Sequence, residues 1–561
     1  MKTIVARCGL ALAPTLLWAT AQAQTSAAPV DAGKALQESR PALPPAPRKP
    51  LAPQIDQQED APLALPPGQT LKVLSFRFDG AEFIAEADLQ AVVAPFAGRA
   101  LSMAEINTAA DRITALYRSR GYLVARAYVP RQDASGGTLT LRIVIGRYGK
   151  VTLRNQSGVR DAQLGGYFAG LADRPITRDE LERAMLLVGE LPGATLPKVS
   201  IAPGEAAGTS DVDILVGQGR RYGGYATLDN HGSRYTGRRR LSIGASLYSP
   251  FHLGDTLDFS GMDSDGGGLR SGRLAYSTPL GSHGLRGELA VGGTRYTLDD
   301  AYASLDAHGQ ARTLEINLFY PVQRTRQQTL TATLGFVDRA LRDELRSAGQ
   351  RTTRHLRAAT AGLALEHDGA LLGRNAYASL SGSLTIGRLD IDEPDMKAAN
   401  QAGANSVGRY GRASLSASGR IALNDTLSAS ASMSVQRAIH RNLDSSEQFS
   451  ISGTRGVTAY REAISGDNGH LLHLELRHTL PAIADTTQAL SLVADAGQIS
   501  LHDASYAAAD RVDLSDVGLG YSLSWRSLFV QAQVALVTGQ RPVSLPRDGR
   551  VRGLLQAGAV F

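Results

Sequence analysis

Residues 517–536 read VGLGYSLSWRSLFVQAQVAL, and this stretch decides the class of fold. Large apolar side chains occupy every second position from Val517 to Trp525, and glycine or serine stands between them. The same period returns between Val530 and Leu536. A period of two is that of a β-strand with one apolar face. The sequence therefore predicts two long strands, each with one face made for an apolar environment.

The same alternation is typical of the chain from about residue 220 to its end. Leu474 and Leu476, for example, alternate with the charged Glu475 and Arg477. A soluble sandwich also alternates, but strands of about ten residues with charges on the second face fit a barrel with a wet lumen better. The prediction is a transmembrane antiparallel β-barrel over residues 220–561.

The number of barrel strands follows from a count and a parity argument. Seventeen candidate strands lie between Tyr222 and Phe561, which ends the chain as the last residue of an alternating strand. A chain that enters and leaves on the same side of a membrane needs an even number. One candidate must be loop, either Gln448–Ser452 or the crowded start near Tyr225, so we expect 16 strands.

The first residues resemble a secretory signal peptide, residues 1–23. Positive charge at Lys2 and Arg7 precedes a short apolar stretch, and small residues stand at the −3 and −1 positions of a cleavage site before Gln24. Cys8 is the single cysteine of the 561 residues. Its loss with the signal excludes disulfides and thiol chemistry from the mature chain. The net charge of +6 is spread out and does not indicate a nucleic-acid partner.

Two segments follow the predicted signal. Residues 24–40 contain a short helix, which needs a docking surface because so short a helix is unstable alone in water. Residues 41–69 are rich in proline and are predicted to be an extended linker without sheet pairing.

Residues 70–148 predict a small α/β unit with the order β-α-α-β-β. The segment Ser102-Met-Ala-Glu105 has the capping-box pattern of a helix start. Residues 149–219 repeat this order, with a second capping box at Thr177-Arg-Asp-Glu180. One larger α/β domain is the alternative, but the repeat is the favoured interpretation.

The order of signal, helix, proline-rich linker, two α/β units and barrel resembles the TpsB transporters of two-partner (type Vb) secretion, within the Omp85 superfamily. The resemblance covers essentially the whole mature chain. It implies that the two units are periplasmic POTRA domains and that residues 24–40 are a candidate plug of the barrel. It also implies localisation in the outer membrane, with lipid around the barrel.

The most specific match to that family is Thr454-Arg455-Gly456-Val457, within an inward-folded loop at residues 454–468. The family has Val-Arg-Gly-aromatic there, so the Arg-Gly core is kept and its neighbours differ. A second family motif, aromatic-x-Asp-x-Gly, reads Val493-Ala-Asp495-Ala-Gly497.

The resemblance implies a pairing of Arg455 with Asp495 that holds the loop. Alternation places Asp495 and Gly497 on the lumen side of their strand and Leu490 and Leu492 on the lipid side. A carboxylate can accept a bidentate contact from arginine. Breaking a buried pair by removing one partner costs about 3–5 kcal/mol, so the pair would fix the loop in one arrangement.

Three functions are compatible with this organisation. The first is export of a large secreted β-helical exoprotein, recognised by the POTRA domains through its N-terminal secretion domain, as the resemblance implies. The second is an Omp85-type factor that assembles other outer-membrane proteins, which two POTRA units and the N-terminal helix disfavour. The third is an enzyme or adhesin, but no nucleophile-base-acid constellation, metal motif or nucleotide loop is found, so no cofactor is expected.

Overall fold

The computed structural model describes residues 30–39, 53–57, 70–507, 510–539 and 549–561. The predicted signal peptide, 1–23, lies outside the described residues, as does most of the proline-rich segment. Among the described residues no helix is both long and apolar enough to cross a membrane.

Two short elements precede the α/β units. Helix α1, Ala32–Glu38, forms where the sequence predicts a helix, and its N-cap residue Asp31 accepts a hydrogen bond from the Lys34 backbone N–H. Strand β1, Gln54–Gln57, lies inside the segment predicted to be an unpaired linker. That prediction was wrong for these residues, because they lie between prolines and keep the backbone N–H groups that a sheet needs.

The first α/β unit has the predicted order of elements, with an added pair of short strands. A three-stranded sheet has the order β3-β6-β5, and β2 pairs with β4. The capping box at Ser102 and Glu105 is formed, and the Ser102 backbone N–H donates to Glu105 Oε2 at 2.8 Å. The elements are β2 Thr70–Val73, β3 Ser75–Asp79, α2 Glu86–Val93, β4 Arg99–Ser102, α3 Met103–Ser119, β5 Ala125–Tyr128 and β6 Thr138–Ile145.

The second α/β unit repeats this plan but begins two residues earlier than predicted, because its first strand starts at Arg147. The predicted capping box at Thr177 is not formed. Glu180 pairs with Arg174, and within the described chain the Thr177 hydroxyl is buried without a partner. The elements are β7 Arg147–Asn155, α4 Asp161–Gly166, α5 Arg178–Gly189, β8 Lys198–Pro203 and β9 Thr209–Val216. The sheet order is β1-β8-β9-β7, so strand β1 is its outermost strand.

Sixteen antiparallel strands form a closed barrel, as predicted. The first strand pairs with the last, with Tyr225 opposite Val560. The strands are β10 Tyr222–Asp229, β11 Arg240–Tyr248, β12 Thr256–Ser264, β13 Leu269–Pro279, β14 Arg286–Thr297, β15 Ala307–Arg324, β16 Gln328–Leu345, β17 Gln350–Leu371, β18 Arg374–Ile391, β19 Gly408–Ala422, β20 Leu427–Ile439, β23 Asn468–Leu480, β24 Thr486–Ser500, β25 Arg511–Trp525, β26 Leu528–Val537 and β27 Val551–Val560.

One α-helix and two short strands lie in the connections of the barrel. Helix α6, Pro394–Ala402, follows β18. Strands β21, Phe449–Ser450, and β22, Ser465–Gly466, pair only with each other. The doubtful candidate at Gln448–Ser452 is therefore loop, whereas the segment near Tyr225 is a true barrel strand.

The strand faces follow the predicted alternation. On β24, Leu490 and Leu492 point outward and are 48% and 54% exposed, whereas Asp495 points inward and is 3% exposed. The second α/β unit sits against the short turns at one end of the barrel, where the Arg160 backbone N–H donates to the His252 carbonyl oxygen at 2.9 Å. Long connections leave the opposite end.

Candidate functional site: the filled barrel lumen

The connection between β20 and β23, residues 440–467, folds back into the barrel, and we call it the inward loop. It begins earlier than the predicted inward segment, residues 454–468, and ends one residue before it, because Asn468 is the first residue of β23. Ile451, Val457 and Asp467 are almost fully buried in it. Asp467 holds the two ends of the inward loop together. Its carboxylate accepts hydrogen bonds from the backbone N–H groups of Leu443 (2.9 Å), near the start of the loop, and His502 (3.0 Å).

Glu447 anchors the inward loop to one side of the barrel wall. Its carboxylate pairs with Arg339 of β16 and, at 3.0 Å, with Arg412 of β19. Gln436 of β20 donates to the Glu447 carbonyl oxygen at 3.0 Å. Glu447 is almost fully buried, so two cations compensate a carboxylate that has lost its water.

The tip of the inward loop is held by the opposite side of the wall. Asp516 of β25 accepts hydrogen bonds from the Ala459 backbone N–H (2.5 Å) and the Thr458 hydroxyl (3.2 Å). Arg552 of β27 donates to the carbonyl oxygens of Thr458 (2.8 Å) and Tyr460 (3.1 Å). The tip thus satisfies its backbone polar groups on wall side chains instead of water.

A third anchor connects the inward loop to the first long connection of the barrel. Glu462 accepts hydrogen bonds from the Ser233 hydroxyl and from the Arg234 backbone N–H, the latter at 3.1 Å. Arg461 donates to the Gly232 carbonyl oxygen at 3.2 Å. Together with the contacts of Glu447 and Asp516, these hydrogen bonds hold the inward loop at three places around the lumen.

Helix α1 fills the space beside the inward loop. Arg354 of β17 is buried among three carboxylates: Asp343 of the wall (2.6 Å), Asp444 of the inward loop (2.6 Å) and Asp31 of the helix N-cap (3.5 Å). The Ala32 backbone N–H donates to Asp343 at 2.8 Å. One arginine therefore joins the helix, the loop and the wall.

The packing of α1 also involves apolar and amide contacts. Ala35 is fully buried against a cluster that includes Tyr235 and Leu341. Gln37 Nε2 donates to the carbonyl oxygens of Ser445 (2.9 Å) and Gln448 (3.0 Å) of the inward loop. The docking surface that the short helix needs is thus the lumen itself.

The structure does not bring Arg455 and Asp495 together. Asp495 forms its ion pair with His473 of the neighbouring strand at 2.6 Å. Arg455 ends a short 3₁₀ turn and lines a polar cavity that Glu38 of α1 also lines. The family motifs identified the loop that folds into the lumen and the part of the barrel wall near its tip. The wall residue that accepts hydrogen bonds from the loop tip is Asp516.

The two glycines of the predicted motif do come together, around Ile451. A Cβ atom on Gly456 would lie 2.3 Å from the Ile451 carbonyl carbon, and one on Gly497 would lie 3.0 Å from the Ile451 Cβ. The Val457 N–H donates to the Ile451 carbonyl oxygen at 2.8 Å, which closes the tip on itself. Close backbone approach therefore requires Gly456.

Sequence reasoning missed the wall residues Arg339, Arg354, Asp516 and Arg552. A signal for them existed, because ionisable residues on the inner face of membrane strands are expensive and mark functional positions. Their partners in the inward loop are far away in sequence, so the pattern alone could not pair them.

Comparison with known families places this architecture. Residues 208–523, more than half of the chain, match the family model described as haemolysin secretion/activation protein ShlB/FhaC/HecB. The chain belongs to this family. Residues 71–146 match the ShlB-type POTRA domain, so the first α/β unit is a POTRA domain. The second unit has the same order of elements, and we call it the second POTRA domain.

Several relatives of this ShlB/FhaC/HecB family member have been described. The heme/hemopexin transporter protein HuxB of Haemophilus influenzae is 26% identical over 446 residues, which are 78% of each chain. The outer membrane transporter CdiB of Dickeya dadantii is 24% identical over 82% of each chain. The solved structure of CdiB from Escherichia coli superposes with a TM-score of 0.72 at 23% identity, covering 94% of this chain and 95% of that one.

The family and the fold together identify the class of protein. It is an outer-membrane transporter of two-partner secretion, with POTRA domains on the periplasmic side of a transmembrane barrel. The end of the barrel that contacts the second POTRA domain is therefore periplasmic, and the inward loop descends from the cell surface.

Proposed function

We propose that this protein recognises a large β-helical exoprotein in the periplasm and passes it, unfolded, through its barrel. The POTRA domains bind the N-terminal secretion domain of the client. The observation that supports the proposal most is the lumen: α1 and the inward loop fill it, and polar contacts that water can replace hold both in place.

The names of relatives agree with a polypeptide cargo. HuxB carries the name heme/hemopexin transporter protein, and ShlB of Serratia marcescens, 26% identical over 48% of each chain, carries the name hemolysin transporter protein. POTRA sheets suit an unfolded client, because β-augmentation uses backbone hydrogen bonds and tolerates varied side chains. No energy source need act on the outer membrane if folding outside the cell gives the direction.

The proposal is tested by deleting the gene and comparing the polypeptides in the culture medium of the two strains. We expect the deletion strain to lose one very large polypeptide and to regain it on complementation. Unchanged secretion would exclude the transport function. General loss of other outer-membrane barrels would favour the assembly-factor alternative instead.

In this proposal α1 is the resting plug of the channel. Deletion of residues 29–40 should raise the ion conductance of the purified protein in planar bilayers, since it removes a helix that occupies the lumen. Unchanged conductance would exclude a plugging role for α1.

A further inference from the structure

The outer face of the barrel carries two neighbouring arginines without an ion-pair partner among the described residues. Arg388 of β18 lies directly opposite Arg409 of β19 in the antiparallel ladder. Both side chains are exposed and point outward, because the adjacent Leu389 and Tyr410 are buried and point inward. Like charges directly opposite each other destabilise a sheet. The pair therefore lacks an anion that would relieve this repulsion.

The carboxylates near the pair do not supply that anion, because each already has a partner. These ion pairs are Asp338 with Arg357 at 2.8 Å, Asp390 with Lys397 of α6 at 2.5 Å, and Asp392 with His355 at 3.2 Å. The positive charges of Arg388 and Arg409 thus stay uncompensated within the described chain.

A second opposed pair on the outer face shows the contrast. Arg270 of β13 lies opposite Arg295 of β14. There Arg270 pairs with Asp263 at 3.1 Å, so the protein itself provides the anion. The uncompensated charge is thus a property of the pair on β18 and β19.

Arg388 and Arg409 lie at the outer limit of the apolar belt. Strand β18 runs from its periplasmic turn to the cell surface at Ile391, and the outward residues that precede Arg388 are Leu384 and Ile386, 51% and 64% exposed. Their ladder neighbours on β17 are Ala361 and Ala359, so the two larger side chains protrude. In an outer-membrane barrel such an apolar band faces the acyl chains, and the first charged level beyond it faces the lipid head groups.

A phosphate group has the chemistry that two such arginines require. The guanidinium group has a planar set of donors that binds phosphate oxygens in a bidentate way. A phosphate monoester carries a charge of about −1.5 to −2 at pH 7, so one such group can offset both arginines. Because the side chains point away from the barrel at head-group level, a lipid is the source of phosphate that reaches them.

We propose that Arg388 and Arg409 bind a phosphate monoester of an outer-leaflet lipid, whose acyl chains lie against Leu384 and Ile386. Lipid A, a glycolipid with phosphate monoesters and several acyl chains, has this chemistry. The site lies outside the lumen, so it does not depend on the proposed transport function. It requires only the location of the barrel in the outer membrane.

Binding of lipid A to the purified full-length protein in detergent, measured by native mass spectrometry, tests the proposal. The double variant Arg388→Gln, Arg409→Gln should bind diphosphorylated lipid A about tenfold less tightly than the wild type, because it loses charge-assisted hydrogen bonds. The matched control is Arg374→Gln, at the exposed periplasmic start of the same strand, which should bind like the wild type. Equal affinity of the double variant and the wild type would overturn the proposal.

Two further probes identify the source of the phosphate. Inorganic phosphate has no acyl chains, so an equal concentration of it should not displace lipid A. Phosphatidylglycerol has a phosphodiester, which carries less charge than a monoester, and it should bind more weakly than lipid A. Displacement by inorganic phosphate, or equal affinity for phosphatidylglycerol, would exclude the assignment to an outer-leaflet lipid.

The wild-type protein provides a readout that needs no variant. Phenylglyoxal modifies accessible arginines, and Arg388, Arg409 and Arg374 are all exposed. Lipid A should slow the modification of Arg388 and Arg409 and leave that of Arg374 unchanged, as measured by mass spectrometry of peptides. Unchanged modification of Arg388 and Arg409, or equal protection of all three arginines, would contradict the site.

Discussion

The POTRA domains and the contents of the barrel lumen are built on opposite principles. Each POTRA domain is closed around an apolar core, with residues such as Leu181 and Met185 of the second domain fully buried. In the lumen, α1 and the inward loop are held mainly by ion pairs and hydrogen bonds, with Arg354 and Glu447 at their centres.

The difference matches what each region has to do. Apolar burial is lost only when a domain unfolds, because it depends on removing surface from water as a whole. A polar contact has a small net free energy when water can take its place, although it is costly to leave unmade. If α1 and the inward loop leave the lumen during transport, as we propose, water that enters the channel can replace the polar contacts that hold them.

Arg354→Ala is expected to have the largest effect on the contacts that hold α1 and the inward loop in the lumen. The change leaves the buried carboxylates of Asp31, Asp343 and Asp444 without their shared cation, which costs about 3–5 kcal/mol. Loss of the shared partner should release α1 and the inward loop together and raise single-channel conductance while the barrel still forms.

Arg357→Ala is the matched control, since Arg357 lies on the same strand but is 73% exposed and pairs with Asp338 at 2.8 Å. It should conduct like the wild type. If Arg354→Ala also conducts like the wild type, the lumen contents do not depend on this polar centre, and the contrast with the POTRA domains is lost.

Leu181→Ala should destabilise the second POTRA domain and leave the contents of the lumen in place. The side chain is fully buried, so its truncation should cost about 2–5 kcal/mol of the stability of the second POTRA domain. Hydrogen exchange of α5 in the full-length protein measures this directly, and the conductance should stay at the wild-type level. Leu492→Ala, on the exposed outer face of the barrel, is the control that should leave α5 protected.

A smaller effect is expected at the loop tip. Asp516→Ala leaves the buried Ala459 N–H without its acceptor, a cost of about 1–3 kcal/mol. Hydrogen exchange of residues 456–460 should accelerate more in this variant than in Asp495→Ala, because Asp495 faces His473. Equal protection of the tip in both variants would contradict the assignment of Asp516.

The role of Arg455 and Asp495 as a lock during transport stays a prediction. Substituting either residue should impair export while the barrel still inserts. Wild-type export from both single variants would refute the lock, and it would leave Asp516 and Arg552 as the residues that hold the tip.

The smallest expected effects concern the helix N-caps, which differ between the two POTRA domains. Ser102→Ala removes a formed N-cap and should cost about 0.5–2 kcal/mol. Thr177→Ala should change the stability little, because the Thr177 side chain caps nothing in the described chain. Denaturant titration followed by hydrogen exchange of α3 and α5 compares the two, and equal losses would contradict the difference in capping.

The Ser102–Glu105 cap also makes the stability of the start of α3 depend on pH, and the sign of this dependence follows from the shifted pKa of Glu105. The backbone N–H and hydroxyl of Ser102 hold the pKa of the Glu105 carboxyl below its usual value. The stabilisation is present above the ordinary glutamate pKa of about 4.3 and is lost as the pH falls through the lowered pKa. Acid should therefore loosen the start of α3 in the wild type but much less in Glu105→Gln, as measured by hydrogen exchange between pH 5 and 3, roughly the range set by that reference pKa.

The sequence by itself determined the barrel, its even strand number, the order of two α/β units and the presence of a short helix within residues 24–40. These features follow from the period of the apolar residues, the turn residues and the composition, all of which can be read from one sequence. It also singled out Gly456 and Gly497, whose shared neighbour Ile451 became visible only in the folded chain.

Only the tertiary structure decided which charges meet. Arg354 gathers carboxylates from the helix, the wall and the inward loop, and Asp516 rather than Asp495 holds the loop tip. Strand β1 likewise formed in a proline-rich segment because an open edge on β8 was available. Pairings of this kind depend on distances across a closed barrel or between domains, and no local pattern in a sequence records them.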